Sequence, residues 1–394
     1  MVKDFLAAVR QELDSLLVFW MRAADQDNGG FIGRIDGFNR AHKDAAKGMV
    51  LNARILWAFS AAALRRDSVE EKLAAKRAYD YLHRFFDHEF GGVYWELRAD
   101  GAPLNMRKQV YGQAFAIYAL SEYYALTKDG AALQKAIDLF QLIEQYSFDP
   151  VAGGYLEAFD RQWRPLDDMR LSPKDANEKK TMNTHLHVME AYANLYKAWN
   201  DPLLETQLKK LIRIFLEKIL DRNTFHLNLF FNEAWETKSR VYSFGHDIEA
   251  AWLLCQAAEA VRDEELMRET RNTALRIADA ILKEGMDIDG GLMNEGEGGR
   301  VTDSDKHWWP QAEAAVGLIN AWQISQDDRY MAAAVNVWNF IEAALIDKKH
   351  GEWHFRISKA WIPYIEEDKA GFWKCPYHNI RACLEILERI EGKF

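Results

Sequence analysis

One local pattern recurs six times along the 394-residue chain. An acid and a short polar turn lead through glycine into an extended apolar and aromatic stretch. The copies read DQDNGGFIGRI from Asp25, DHEFGGVYWEL from Asp87 and DPVAGGYLEAF from Asp149. They continue as DRNTFHLNLFF from Asp221, DIDGGLMNEG from Asp287 and DKKHGEWHFRI from Asp347. By subtraction the starting acids lie 62, 62, 72, 66 and 60 residues apart. The fourth copy lacks its glycines and is placed by register. A steady period of this length marks a repeat architecture. Glycine suits a turn that needs positive φ, and the alternation after it suits a short strand.

Each repeat carries two helical segments. The one before the turn is amphipathic: in AALQKAIDLFQLIEQY, Leu133, Ile137 and Phe140 share a face away from Lys135, Asp138 and Glu144. The one after the turn is apolar nearly all round, as in QAFAIYAL from Gln113 and AEAAVGLINAW from Ala312. A helix apolar on every side is buried. Six outer and six inner helices predict an all-α fold, an (α/α)6 barrel of six helix-pair repeats with short β-hairpin-like loops. An open solenoid is the alternative, but buried inner helices favour closure. No Pro-, Gly- or Ser-rich linker divides the chain, which predicts one catalytic domain over residues 1–394. The longest irregular stretch, roughly Arg161 to Lys180, reads as a loop able to cover a site before the third inner helix.

The formal net charge of -10 argues against nucleic acid, which needs a basic face. Three cysteines without framework spacing argue against a disulfide scaffold. The N-terminal segment lacks a signal-peptide core, and no apolar run approaches the ~20 residues of a bilayer span. The expectation is a cytoplasmic protein without a membrane partner. The fourteen tryptophans fit sugar binding, although core filling explains them equally well.

Superposed repeats place unusual polar and aromatic residues at the start of every inner helix. They are Asn52, Arg54 and Trp57; Gln109 and Tyr111; Asn183, His185 and His187. The later repeats give His246, Asp247 and Glu249; His307, Trp308, Trp309 and Glu313; Trp373, Tyr377, His378 and Asn379. Equivalent positions lie at one end of a barrel, so these residues converge on one mouth, as in a small-molecule site. A lone buried histidine is usually a bonded core residue. Convergence of several segments favours His246, His378 and His187 for chemistry and leaves His185 and His307 structural or supporting. Asn183 and His187 share a face at i, i+4. His246 and Glu249, at i, i+3, predict a carboxylate that holds the imidazole and raises its pKa. Arg54 needs a core carboxylate or a ligand oxygen. Trp309, at i−4 from Glu313, joins Trp308 and Trp373 as a candidate sugar platform. His185 and His187, at i, i+2, cannot face one ion, and no HExxH or cysteine-rich spacing is present; no metal is expected. Nucleotide loops and local serine or cysteine nucleophile motifs are also missing, so no cofactor is expected.

KGMVLNARILW, KQVYGQAFAIYALSEYY, MNTHLHVMEAYANLY, SFGHDIEAAWLL, HWWPQAEA and FWKCPYHNIRACLE together resemble the N-acylglucosamine 2-epimerase superfamily, most closely its cellobiose 2-epimerase branch. The strings span all six repeats. The resemblance implies an (α/α)6 barrel and cofactor-independent epimerisation. It implies that His246 and His378 are the acid/base pair, and that His187, Arg54, Asn183, Tyr111, Glu249 and Trp373 surround the reducing-end sugar. Asp175, in LSPKDANEKK, matches a position of disaccharide-binding members. Gln109 departs from the histidine of related sequences and bears on site polarity or selectivity.

The implied reaction is inversion at C2 of a β-1,4-linked disaccharide such as cellobiose, mannobiose or lactose, through ring opening and an enediolate. Arg54 would stabilise the developing oxyanion, Glu249 would orient His246, and Trp373 would stack on a sugar. A mannose 2-epimerase and an aldose–ketose isomerase are the near alternatives. A glycoside hydrolase using Glu249 and Glu313, or a sugar-binding scaffold, are the distant ones. A monomer or weak homodimer with a carbohydrate substrate is expected.

Overall fold

The computed structural model describes residues 2–392, so Met1 and residues 393–394 of the expected domain lie outside the described residues. The helices alternate between two layers. The outer ones are α1 (Val2–Arg22), α3 (Val69–Leu82), α5 (Gly130–Tyr146), α7 (Pro202–Ile214), α9 (Glu264–Ala280) and α11 (Asp328–Phe340). The inner ones are α2 (Met49–Arg66), α4 (Val110–Thr127), α6 (Met182–Ala198), α8 (Phe244–Val261), α10 (Trp308–Ser325) and α12 (Tyr377–Glu391). Each inner helix packs on the next, and α12 packs back on α2. The ring is therefore closed: an (α/α)6 barrel.

Local chemistry explains the layering. In α4 every residue from Val110 to Tyr123 is buried, as a helix surrounded by other helices requires. In α5 the buried stripe is Ala132, Ala136, Leu139, Phe140 and Ile143. Leu133 and Ile137, expected on that stripe, lie half-buried at its edge. Outer helices start on caps: the side chains of Ser68, Asp129, Asp201, Asp263 and Asp327 accept from N–H groups of the first turn. One apolar core runs from Phe5 in α1 to Leu387 in α12. No helix among the described residues is long and apolar enough to cross a membrane.

The turns gather at one end. Each closes with an antiparallel bridge: Ala24–Phe31, Phe86–Val93, Phe148–Tyr155, Leu220–Leu227, Met286–Leu292 and Ile346–Trp353. The fourth, placed only by register, is therefore a true copy. Phe225 takes φ 63° there, at the point where Gly29, Gly91 and Gly153 take positive φ. The short strand before each inner helix pairs with the strand after the next turn, as Lys47–Gly48 does with Glu96–Leu97. Ile35 and Ala370 bridge the seam.

A buried lysine before the inner helix clamps the turn's first acid in five repeats. Lys47 binds Asp25 at 2.7 Å, Lys108 Asp87 at 3.0 Å, Lys180 Asp149 at 2.7 Å and Lys306 Asp287 at 2.5 Å; Lys369 binds Asp347. Tyr242 occupies the lysine's position in the fourth repeat, two residues before α8.

Candidate active site

The inner helices all begin at the turn end, so equivalent helix positions form rings. The fourth residue of the helix is structural. Gln113, His185, Asp247 and Gln311 accept from the N–H of Val93, Tyr155, Leu227 and Leu292, the second bridge partners of their own turns. His185 spends its other nitrogen on the carbonyl of Thr181 at 2.6 Å. Burial drives its pKa down to about 4. It is a neutral, hydrogen-bonded core histidine, structural as expected.

The sixth residue points to the barrel axis. It is Arg54, Phe115, His187, Glu249 and Glu313 in α2 to α10, and Arg381 joins them from α12. One Arg381 nitrogen donates to Glu249 and Glu313, both at 2.6 Å, and the other reaches Glu190. The Tyr377 hydroxyl and His187 Nδ1, the latter at 2.9 Å, also donate to Glu190. Glu190 and Arg381 were missed in the sequence. Their signal was spacing: each lies three residues after a candidate histidine, Glu190 after His187 and Arg381 after His378. Removing one member of so buried a network strands the others, at a cost of about 3–5 kcal/mol.

His378, second residue of α12, donates from Nδ1 to Glu313 at 2.6 Å, with Glu249 at 3.9 Å. His246, third residue of α8, behaves differently. Its ring lies 4.6 Å from that of Trp309, and its Nδ1 has no partner among the described residues. The expected His246–Glu249 pair does not form. Three residues of helix rotate a side chain by about 300°, and the buried Arg381 draws Glu249 to the axis. The carboxylate-held imidazole at i, i+3 is instead His187 with Glu190. Consequently the His246 pKa is lowered, not raised: burial first and then His187 bring it to about 3. His378 also falls well below the ordinary imidazole value, through burial and then Arg54 and Arg381. Both rings pack on one indole, with His378 5.6 Å from Trp309.

Arg54 is buried without a carboxylate partner among the described residues. It donates to the Tyr111 hydroxyl at 2.8 Å and to the Trp373 carbonyl at 3.4 Å. Its guanidinium lies 4.2 Å from the Phe115 ring and 4.6 Å from that of Tyr377, contacts that favour a cation. The Trp373 ring stands edge-on to Tyr111 at 5.8 Å.

A cavity of about 550 Å³ opens over His246, Trp309, Asn183, His307 and Asp175. Such a volume suits a small ligand. Asn183 Oδ1 and His307 Nε2 have no partner among the described residues. Burial and then Arg356 lower the His307 pKa to about 4. His307, read as structural or supporting, thus stands on the cavity wall. Asn183 and His187 share a helix face at different depths, one on the cavity and one on Glu190.

The loop from Arg161 to Lys180 covers this cavity. Arg107 donates to the Asp168 carbonyl at 2.8 Å. Gln109, fully buried, donates to the Arg170 carbonyl at 2.9 Å. Position 109 therefore tethers the loop. Asp175 accepts from the Ser172 N–H at 2.8 Å, which closes the loop on itself.

Donor atoms of Glu249, Glu313 and His378 lie within 4.8 Å of one another. Arg381 already binds both carboxylates, and His378 donates to one. The set is built as an ion-pair network rather than as a vacant cation cage.

The N-acylglucosamine 2-epimerase (GlcNAc 2-epimerase) family model matches residues 30–382. The cellobiose 2-epimerase of Bacteroides fragilis is 49% identical over 94% of this chain and 95% of its own. That of Ruminococcus albus is 39% identical over 98% of each chain. The solved cellobiose 2-epimerase of Bacillus thermoamylovorans superposes with a TM-score of 0.94, at 39% identity over 98% of this chain and all of its own. Barrel and relatives define the class, a carbohydrate isomerase. Within it, the chain belongs to the N-acylglucosamine 2-epimerase family.

Proposed function

We propose that the chain inverts carbon 2 of the reducing-end sugar of a β-1,4-linked disaccharide, without a cofactor. One observation carries the reading: His246 and His378 share the Trp309 ring, at 4.6 and 5.6 Å. The similar cellobiose 2-epimerases support a disaccharide substrate.

The C2 hydrogen of a closed sugar ring is not acidic. In the open aldehyde the carbanion delocalises into a cis-enediolate. Inversion then needs a base on one face and an acid on the other. One proton shared by two imidazoles suffices. An imidazolium protonates O5 while the second imidazole takes O1–H, and the ring opens. The first imidazole, now free, takes C2–H. The second returns its proton to the opposite face of C2, and the pair again holds one proton. His187 assists the opening step. The lowered pKa values favour neutral rings, so each imidazolium is a strong acid once formed and each imidazole a weak base.

Arg54 meets the developing oxyanion as a preorganised cation, and Tyr111 fixes its guanidinium. Glu249 acts through Arg381 and His378. Trp373 and Trp309 offer faces to the sugars. Asn183 bonds a sugar hydroxyl, and Asp175 meets the second ring. Incubation with cellobiose, mannobiose, mannose and N-acetylglucosamine, followed by chromatography, tests the reading. C2 epimers of the disaccharides are expected. A ketose as main product, cleaved sugar, or turnover of monosaccharides alone would contradict it.

A further inference from the structure

The residue before the second bridge partner of each turn stands in a crowded place, in the second and third repeats against the start of its own inner helix. It is glycine in four repeats: Gly30, Gly92, Gly154 and Gly291. The approach is close. A Cβ at Gly92 would stand 2.9 Å from Gln113 Oε1, and one at Gly154 2.7 Å from His185 Nε2. In the other two repeats a side chain replaces the glycine and bonds the helix. These residues are His226 and Glu352, and theirs are the repeats that carry His246 and His378.

His226 Nδ1 donates to Asp247 Oδ2 at 2.7 Å. Asn379 Nδ2 donates to Glu352 Oε1 at 2.7 Å. Asp247 follows His246 in sequence, and Asn379 follows His378. All four gripping and gripped residues are at most 3% exposed. His226 also places Nε2 3.3 Å from Glu284 and lies flat on the Tyr242 ring, with centroids 3.7 Å apart. Both its nitrogens face carboxylates, a geometry that an imidazolium satisfies with its two N–H donors. Glu352 further accepts from Lys374 and Trp20, each at 2.6 Å.

We infer that His226 and Glu352 are positioning residues, each fixing the helix start that aims one of the two bases, His246 and His378. The inference rests on the reading of those histidines as the acid/base pair. His226 bears more of the load. His246 Nδ1 has no partner among the described residues, so its aim depends on the backbone, whereas His378 is also tied to Glu313.

The test is side-specific exchange in D₂O with His226→Gln and Glu352→Gln, starting separately from cellobiose and from its C2 epimer. A base left well aimed still removes and returns a proton on its own face. Deuterium then enters C2 of the recovered starting sugar while conversion falls. His226→Gln should raise the ratio of exchange to conversion for one epimer, and Glu352→Gln for the other. In His226→Gln kcat should fall about tenfold or more at nearly constant KM, within the ~10²-fold that a misplacement of about 1 Å costs. Wild-type turnover, or equal ratios with both epimers, would overturn the inference. If either variant fails to fold, Asp247→Ala and Asn379→Ala cut the same contacts from the helix side and carry the same measurement. His246→Ala and His378→Ala serve as controls. Turnover in either would sink the acid/base reading itself, whereas inactive controls beside normal His226→Gln and Glu352→Gln would sink this inference alone.

Discussion

Five histidines stand around the mouth, and their neighbours give them different work. His185 spends both nitrogens on backbone. His187 is tied to Glu190, and His378 to Glu313. His246 and His307 each keep a ring nitrogen unpartnered among the described residues. Substitution separates chemistry from packing. His246→Ala and His378→Ala are each expected to lower kcat by ~10²–10⁴ or more, since loss of either acid/base group breaks a two-face transfer. Circular dichroism should stay that of the native helical fold. Near-normal turnover in either variant would remove that residue from the mechanism. Repeat register made the histidines visible, because equivalent positions must share one end of the barrel. Register could not assign their partners. Glu249 lies three residues after His246, but Arg381, distant in sequence, claims it.

At the scale of elements, the fourth turn has Tyr242 in the lysine's place and the titratable His226 in the glycine's. Burial alone lowers the His226 pKa, but the hydrogen bond and charge of Asp247, then Glu284, raise it above the ordinary value. Its stabilisation is therefore fully present below the unfolded imidazole pKa of ~6.5 and is lost as pH rises through the raised folded value. Urea midpoints of the wild type and His226→Gln should differ most near pH 6 and converge in alkaline solution. A gap that widens with pH would contradict the ion pairing. The loop over the cavity gives a second expectation. Gln109→Ala removes its bond to the Arg170 carbonyl and should raise KM for a disaccharide several-fold, with a smaller effect on kcat. An unchanged KM would show that the tether does not matter. The glycine turns were legible in the sequence because glycine marks positive φ. The opposite ends of the inner helices were not. There Asp67, Lys128, Arg262 and Gln326 take φ of 52–59°, and no glycine announces the left-handed caps.

At the scale of the molecule, closure turns six weakly similar segments into one site. Arg54 from α2 and Tyr377 from α12 lie 323 residues apart by subtraction, yet the guanidinium stands 4.6 Å from the ring because the last inner helix packs on the first. The period and the apolar inner helices made that closure legible. The axial network was harder to read, because Glu190 and Arg381 acquire meaning only once the ring brings them together. Since Arg381 fills the carboxylate cluster, activity should survive exhaustive chelation. Loss restored by a divalent ion would overturn that reading of the network. The central claim is proton transfer between two opposed imidazoles that exchange with water. The most direct measurement is the hydrogen content of the product epimer formed early in D₂O. The account predicts deuterium at C2 and an unlabelled C1, because the enediolate is reprotonated at C2 from a solvent-exchanged imidazolium. Early product that keeps its original hydrogen, with no C2 deuterium, would contradict it.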